Sequence, residues 1–500
     1  MKTLIKSSCV ITAVDDYCGE IVIDGETETT VVIKRAAKIG VEIITRSFSI
    51  LALLFLIAAT DLAQTPIEAR VDKFVKSEME RQKIPGVSLA VIKDGKPLIV
   101  KGYGFANLEH QVPVKPDTFF QSASVGKQFT AMAVMLLVED GKIELDQKIG
   151  KYLDVPEAWK NITVRNLLTH TSGLPRNVDF DERRDYTDTE TWALIKQVSP
   201  TNSPGEIWRY SNLGYLTLGF LVTKVSGKPY YSFMQERVFK PLGMTTARTI
   251  SEEDIVPNRA AGYRLVNGEV KNQEWVSPSM NSGPDGSFYF TIRDMVKWDD
   301  ALSNGKLLSK ASYEQMWTPV RLADGKEQTY GFGWALSRLN GKRVIAHGGS
   351  WQGFKVIIAR YPDNGLSVIV FANSADANTD GIASRIAVLM DPSLKPIPIV
   401  DPDPKLSADL RTLFEKILAG TIDETRFTPR LAAALKDPNH KLLAQLKTTA
   451  AIRKFELLDT REVGDIKGWQ YAVEFGSISV VLELARDKDG KIFHFVIHPQ

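Results

Sequence analysis

An α+β fold, one antiparallel sheet flanked by a helical region, is the architecture this 500-residue sequence predicts. Strand patterns with tight-turn signals lie at both ends of a long stretch, near residues 87–107 and 342–372, and helical, loop-rich sequence fills the interval. Strands so far apart can complete one sheet only by pairing across that interval. Beyond Asp391 the run PSLKPIPIVDPDP holds five prolines in thirteen residues, and a second, smaller set of helix and strand patterns follows it. That composition predicts a stiff linker over 392–404 and a small α+β domain over 405–500.

At the N-terminus, Arg46 precedes Ser47 to Thr60, fourteen uncharged and mostly apolar residues, and Asp61-Leu62-Ala63-Gln64 follows. A membrane helix needs about 20 such residues, so the run is too short for a stable span and matches the core of a secretory signal. Signal peptides start at the N-terminus, whereas 45 residues come first here. We therefore read 1–45 as a doubtful N-terminal extension and 46–64 as a signal-like segment, with a short membrane anchor as the alternative. Cys9 and Cys18, the two cysteines, both fall in the extension. A processed chain would carry no thiol, which suits a periplasmic or extracellular protein with a core large enough to need no disulfide.

Past the leader, VSLAVIKDGKPLIVKGYGFAN reads as a hairpin about Asp94-Gly95. Ser124-Val125-Gly126-Lys127 then opens a run, Phe129 to Val138, that is apolar on every face. Such a run is a helix buried in a sizeable protein. Side chains three apart share a helix face, so Lys127 can reach Ser124. A serine hydroxyl is a weak nucleophile and needs a nearby base. Burial at the mouth of an apolar interior disfavours the charged lysine, which lets Lys127 take the serine proton. Ser124 would sit at the first turn, where free N–H groups favour an anion. The spacing alone is common: Ser303-Asn304-Gly305-Lys306 repeats it in a Gly-punctuated turn with no buried helix behind it.

Tyr210-Ser211-Asn212 is the only Tyr-x-Asn in the chain, and a helical pattern closed by Gly227 follows it. Beside a lysine cation, Tyr210 can serve as a general base, and Asn212 offers an amide to substrate and to Lys127. The competing reading makes Tyr210 a merely satisfied tyrosine and Ser211 a helix cap. Later, Val344-Ile345-Ala346 reads as a strand ending at His347-Gly348-Gly349-Ser350, and FKVIIARY and LSVIVFAN follow around Asp363-Asn364-Gly365. Glycines such as Gly349 let a substrate approach the backbone, and the Ser350 N–H can pair with that of Ser124 as an oxyanion hole. His347 read alone is a sheet-edge histidine. His170, in Leu167-Leu168-Thr169-His170-Thr171-Ser172-Gly173-Leu174, invites a His170–Ser172 mechanism, but no Gly-x-Ser-x-Gly elbow exists to support one. That stretch is read as a loop beneath the site.

Net charge is +2, from 62 basic and 60 acidic residues, which gives no basis for nucleic-acid binding. No His-Glu-x-x-His, paired Cys-x-x-Cys or glycine-rich phosphate loop occurs, so no cofactor and no metal are expected.

Ser-x-x-Lys, Tyr-x-Asn and His-Gly-Gly in this order, with the 167–174 stretch, PGEIWRYSN and Phe239-Lys240-Pro241-Leu242-Gly243-Met244, resemble the serine β-lactamase-related family. That family includes class C β-lactamases, D-Ala-D-Ala carboxypeptidases, D-aminopeptidases and esterases. The resemblance covers 66–391 and implies a β-lactamase/transpeptidase-like fold. It also implies Ser124 as the acylated nucleophile, Lys127 and Tyr210 sharing base and acid duties, and Asn212, His347, Gly349 and Ser350 at substrate and oxyanion. The family's third motif usually carries lysine, whose cation helps hold a carboxylate. Histidine at 347 removes that permanent charge, which turns the expectation toward an ester or a small, possibly D-residue, peptide and toward weak β-lactam hydrolysis, with His347 still able to donate a hydrogen bond. Carboxypeptidase or β-lactamase activity is the runner-up, and a non-turnover penicillin-binding-type sensor is the reading outside enzymes. The oligomeric state is left open.

Overall fold

The computed structural model describes residues 66–251, 253–286, 288–436, 451–463, 465–475 and 478–499, with four short strands before residue 24. The signal-like segment 46–64 and most of the expected extension 1–45 lie outside the described residues. Ahead of residue 24, Thr3–Ile5 pairs with Ile21–Ile23 and Val10–Ile11 with Asp16–Tyr17, both antiparallel.

The main body is built on a seven-stranded sheet. Its strands are β1 (Gly86–Lys93), β2 (Lys96–Asn107), β3 (Val112–Pro113), β4 (Ala335–Leu339), β5 (Lys342–Trp351), β6 (Phe354–Tyr361) and β7 (Leu366–Ala372). Their order across the sheet is β4-β5-β6-β7-β1-β2-β3, every neighbour antiparallel. The expected pairing across the interval is the β7–β1 seam, where Val368 faces Val91 and Val370 faces Leu89. The first hairpin turns at Asp94 and Gly95, both with positive φ (51° and 73°), as a two-residue turn matched to strand twist requires.

Both faces of this sheet are covered, which explains why its strands read as nearly unbroken apolar runs. Alternate residues of one strand point to opposite faces. Val87, Leu89 and Val91 join one apolar layer under helices α1 (Ile67–Gln82) and α4 (Thr379–Met390), while Ala90 and Ile92 join the layer that holds helix α2 (Lys127–Glu139) and helix α3 (Asn212–Ser226). Burial of α2 is complete from Lys127 to Leu137. The Ser211 hydroxyl caps α3 by accepting from Gly214 N at 3.1 Å, and Gly227 ends it at φ 70°.

After Asp391, Leu394 is buried against the α1/α4 layer, and Asn340 Nδ2 donates to the carbonyls of Ser393 and Lys395. Ile399 N donates to Leu457 O at 2.8 Å. The proline-rich stretch is therefore fastened at both ends and is not a free spacer. Beyond it, helices α5 (Pro404–Leu418) and α6 (Pro429–Lys436) pack on the antiparallel sheet β8 (Ile452–Val463), β9 (Ile466–Phe475), β10 (Ile478–Arg486) and β11 (Ile492–Pro499). Leu410, Phe414, Tyr471 and Leu482 belong to an apolar cluster made of residues from these elements and, with Phe427, from the segment between the two helices. Among the described residues no helix is long and apolar enough to cross a membrane.

Candidate active site

Every residue from Phe120 to Leu137 is buried except Ser124. The serine lies on a 3-10 turn, Ala123–Gly126, and α2 begins at Lys127, so it precedes the α-helix that the sequence placed it on. Ala123 holds φ 44°, a left-handed backbone that an alanine adopts only when its surroundings impose it. Two glycines impose it here. A Cβ on Gly286 would fall 2.3 Å from Ala123 O, and one on Gly349 would fall 2.7 Å from Ser122 O and 2.9 Å from Ala123 Cβ. The turn is clamped between these two backbones.

Lys127 Nζ lies 3.2 Å from Ser124 Oγ and donates to Asp285 O at 2.5 Å. It also lies 5.1 Å from the centre of the Tyr210 ring, and the Arg176 guanidinium sits 5.2 Å from that ring. The Tyr210 hydroxyl has no hydrogen-bond partner among the described residues. Asn212 Nδ2 donates to Asn177 Oδ1 at 2.8 Å, while its own Oδ1 is buried without a partner. Ser124, Asn212 and Ser350 line one cavity of about 640 Å³.

Strand β5 reaches that cavity because it outruns its neighbour. β4 pairs with β5 only as far as Ala346, so the edge from His347 to Trp351 faces the Ser124 turn unpaired by β4. The predicted strand end at Ala346 is thus the end of one pairing and not of the strand. A serine in contact with a buried lysine, a tyrosine ring beside that lysine and Ser350 in the same cavity wall make an arrangement able to carry out acyl transfer.

The Beta-lactamase family model matches residues 71–389. The chain belongs to the beta-lactamase family. It is 30% identical over 316 residues to penicillin-binding protein 4* of Bacillus subtilis (strain 168), covering 59% of this chain and 70% of that protein. Among solved structures, the D-amino acid amidase of Ochrobactrum anthropi SV3, complexed with L-phenylalanine amide, aligns with a TM-score of 0.59 at 25% identity. That alignment covers 66% of this chain and 99% of the amidase. The octameric penicillin-binding protein homologue of Pyrococcus abyssi shares the fold, with a TM-score of 0.59 at 23% identity over 86% of this chain and 99% of that one. The relatives are serine hydrolases of the beta-lactamase/penicillin-binding type, and the α+β fold expected from the sequence is the fold they share.

Relative to the motifs expected of this beta-lactamase-family chain, His347 is the residue whose placement differs. It is buried, its Nδ1 lies 2.7 Å from Gly348 O, and its Nε2 lies 2.9 Å from the Tyr330 hydroxyl. A carbonyl only accepts, so Nδ1 carries the proton and Nε2 accepts from Tyr330. Both nitrogens are used inside the protein and His347 does not line the cavity, so the hydrogen bond to substrate expected of it has no free donor. Burial first, and the Lys127 cation second, hold the imidazole down at about 3. His170, expected beneath the site, packs its ring 4.3 Å from that of Tyr210 and accepts from Ser211 N at 3.1 Å. Burial and the Lys127 charge keep it neutral, well below the usual imidazole range. It supports Tyr210 from below. In the second Ser-x-x-Lys, Ser303 Oγ accepts from Arg360 and Lys306 pairs with Asp300, so the two side chains serve separate ends.

Nothing local in the sequence singles out Tyr330 or Asp285. Tyr330 stands in Tyr-Gly-Phe-Gly-Trp and Asp285 in Gly-Pro-Asp-Gly, so the glycines read only as turns. Among the described residues, no group of three or more His, Cys, Asp or Glu could hold a metal ion.

Proposed function

We propose that this protein is an exported serine hydrolase that acts through an acyl-enzyme on an ester or a small peptide, D-residue peptides included. The observation that carries the reading is the 3.2 Å contact between Lys127 Nζ and Ser124 Oγ, at a serine left open in an otherwise buried stretch. Ser124 Oγ bonds to the substrate carbonyl carbon as its proton passes to the Lys127 amine. The Ser124 and Ser350 N–H groups hold the resulting oxyanion. The bond to the leaving group breaks as Tyr210 relays the proton to the departing alcohol or amine. Water then adds to the acyl-enzyme, gives its proton to the same base pair, and the Ser124–acyl bond breaks, which releases the acid and restores the hydroxyl.

The lack of a lysine cation at position 347, with both His347 nitrogens engaged, favours esters and differently ended peptides over β-lactams and D-Ala carboxylates. Residues 405–500 are read as an accessory domain and 46–64 as the export signal. A chromogenic short-chain ester assayed on the wild type and Ser124→Ala tests the reaction. Loss of turnover is expected; equal rates would refute the nucleophile, a burst without turnover would favour a sensor, and rapid nitrocefin or D-Ala-D-Ala cleavage would overturn the substrate preference. N-terminal sequencing of secreted protein tests export.

A further inference from the structure

Three consecutive carbonyls, those of Pro284, Asp285 and Gly286, are taken up by side chains of the nucleophile stretch. Ser122 Oγ donates to Gly286 O at 2.6 Å, Lys127 Nζ to Asp285 O at 2.5 Å, and Thr130 Oγ1 to Pro284 O. Lys127 and Thr130 stand three apart on α2 and so share the face turned to this segment. Thr130 is fully buried, and its hydroxyl is used differently from those of other helical threonines. Thr217 and Thr412 each donate to the carbonyl four residues back in their own helix, the local bond a threonine makes by default. Thr130 gives its one hydrogen to Pro284 O instead. That carbonyl only accepts, so the Tyr230 hydroxyl, which burial keeps protonated, is the donor to Thr130 Oγ1 at 2.6 Å. The ring of the same proline rests on a glycine: a Cβ at Gly219 of α3 would fall 2.1 Å from Pro284 Cγ. Pro284 is thus held by Thr130 of α2 and seated on Gly219 of α3.

We infer that Thr130 and Gly219 are positioning residues of the acyl-transfer reaction: they set the Pro284-Asp285 backbone where Asp285 O aims the Lys127 amine at Ser124. The inference rests on the acyl-enzyme reading above. A neutral amine has two hydrogens and one lone pair. With one hydrogen on Asp285 O, the lone pair can meet the Ser124 hydroxyl hydrogen, and the ammonium formed by that transfer keeps the same acceptor. Displacing Asp285 O turns the lone pair away, and an error of about 1 Å can cost a reaction about a hundredfold.

The test is made on a chromogenic short-chain ester with three variants. Thr130→Val keeps the shape and removes the hydrogen bond, Thr130→Ser keeps the bond, and Gly219→Ala leaves every hydrogen-bonding group in place but pushes on Pro284. Turnover is counted per folded enzyme, the folded fraction being read from near-ultraviolet circular dichroism. Thr130→Val is expected to lower kcat and kcat/KM together by about tenfold or more, with KM within about twofold, because Lys127 serves both acylation and deacylation. Thr130→Ser should recover most of that loss, and Gly219→Ala should lower kcat as Thr130→Val does. In Lys127→Met, adding Thr130→Val should cost nothing further, since the residue acts through the lysine. Unchanged kcat in Thr130→Val, no recovery in Thr130→Ser, or an equal further fall in the Lys127→Met background overturns the inference. If Thr130→Val does not fold, Gly219→Ala decides in its place, and unchanged kcat there overturns it. Ser124→Ala is run beside them: turnover at the wild-type rate refutes the acyl-enzyme reading itself, whereas its loss in Ser124→Ala with full kcat in Thr130→Val refutes only this inference.

Discussion

The Tyr330 hydroxyl donates to His347 Nε2 across 2.9 Å, in a site where both side chains are buried and the other ring nitrogen is held by Gly348 O. Tyr330 thereby fixes the ring's tautomer and turns it away from the cavity. Its own ring packs 4.7 Å from His170 and 6.4 Å from Tyr210, so one phenol braces the strand, the tyrosine and the loop beneath it. Tyr330→Phe leaves Nε2 buried and unpaired, and should cost about 1–3 kcal/mol of stability, read from urea unfolding. A cost below a few tenths would mean that the bond carries no structural weight.

Burial of neutral imidazole has a definite pH signature. His347 sits at about 3 in the folded protein against 6.5 in the unfolded chain. The unfolded state therefore takes up the proton first, and the stability contributed by the neutral ring is full above pH 6.5 and is lost as pH falls toward 3. Asp285 and Asp380, raised by burial, act in the opposite sense, so the comparison is made between variants. Between pH 6 and 4, the slope of unfolding free energy against pH should be shallower in His347→Gln by about 1.4 kcal/mol per pH unit. Parallel slopes would show that His347 titrates normally.

Lys127 holds both the serine oxygen and the loop carbonyl of Asp285. Lys127→Met should lower kcat/KM on a short ester by at least about a hundredfold, as loss of a general base does, with the cavity intact by product or inhibitor binding. Activity within a few-fold of wild type would assign the base to another group.

Gly349 is needed for close approach. In Gly349→Ala the added carbon meets Ser122 O at 2.7 Å and Val356 Cγ2 at 2.8 Å, and neither a backbone oxygen nor a sheet side chain can retreat easily. Displacement of the Ser124 turn should reduce kcat by about a hundredfold and stability by about 1–3 kcal/mol. Unchanged kcat would mean that the turn does not depend on this contact.

Much of this was legible before any coordinates. The Asp94-Gly95 and Asp363-Asn364-Gly365 turns, the Ser211 cap and the fully buried Phe129–Leu137 run are local signals, written in residues adjacent in the chain. The Ser124–Lys127 contact is local too, since three positions span it. The strand through His347-Gly348-Gly349 reads short in the sequence because glycine weakens any strand signal, and here its backbone is needed by the Ser124 turn instead.

By itself, the sequence determined which short segments are helix, strand or turn and which reactive side chains lie within one turn of each other. Only the tertiary structure decided which way His347 faces, that Tyr330 holds it there, and that the carbonyls of Pro284 and Asp285 meet Thr130 and Lys127. The reason is physical: turn and helix preferences act over a few neighbouring residues, whereas the direction of a ring and the acceptor an amine finds depend on groups that meet only after the chain has folded. The distance from Lys127 to Asp285 in sequence carries no trace of that meeting.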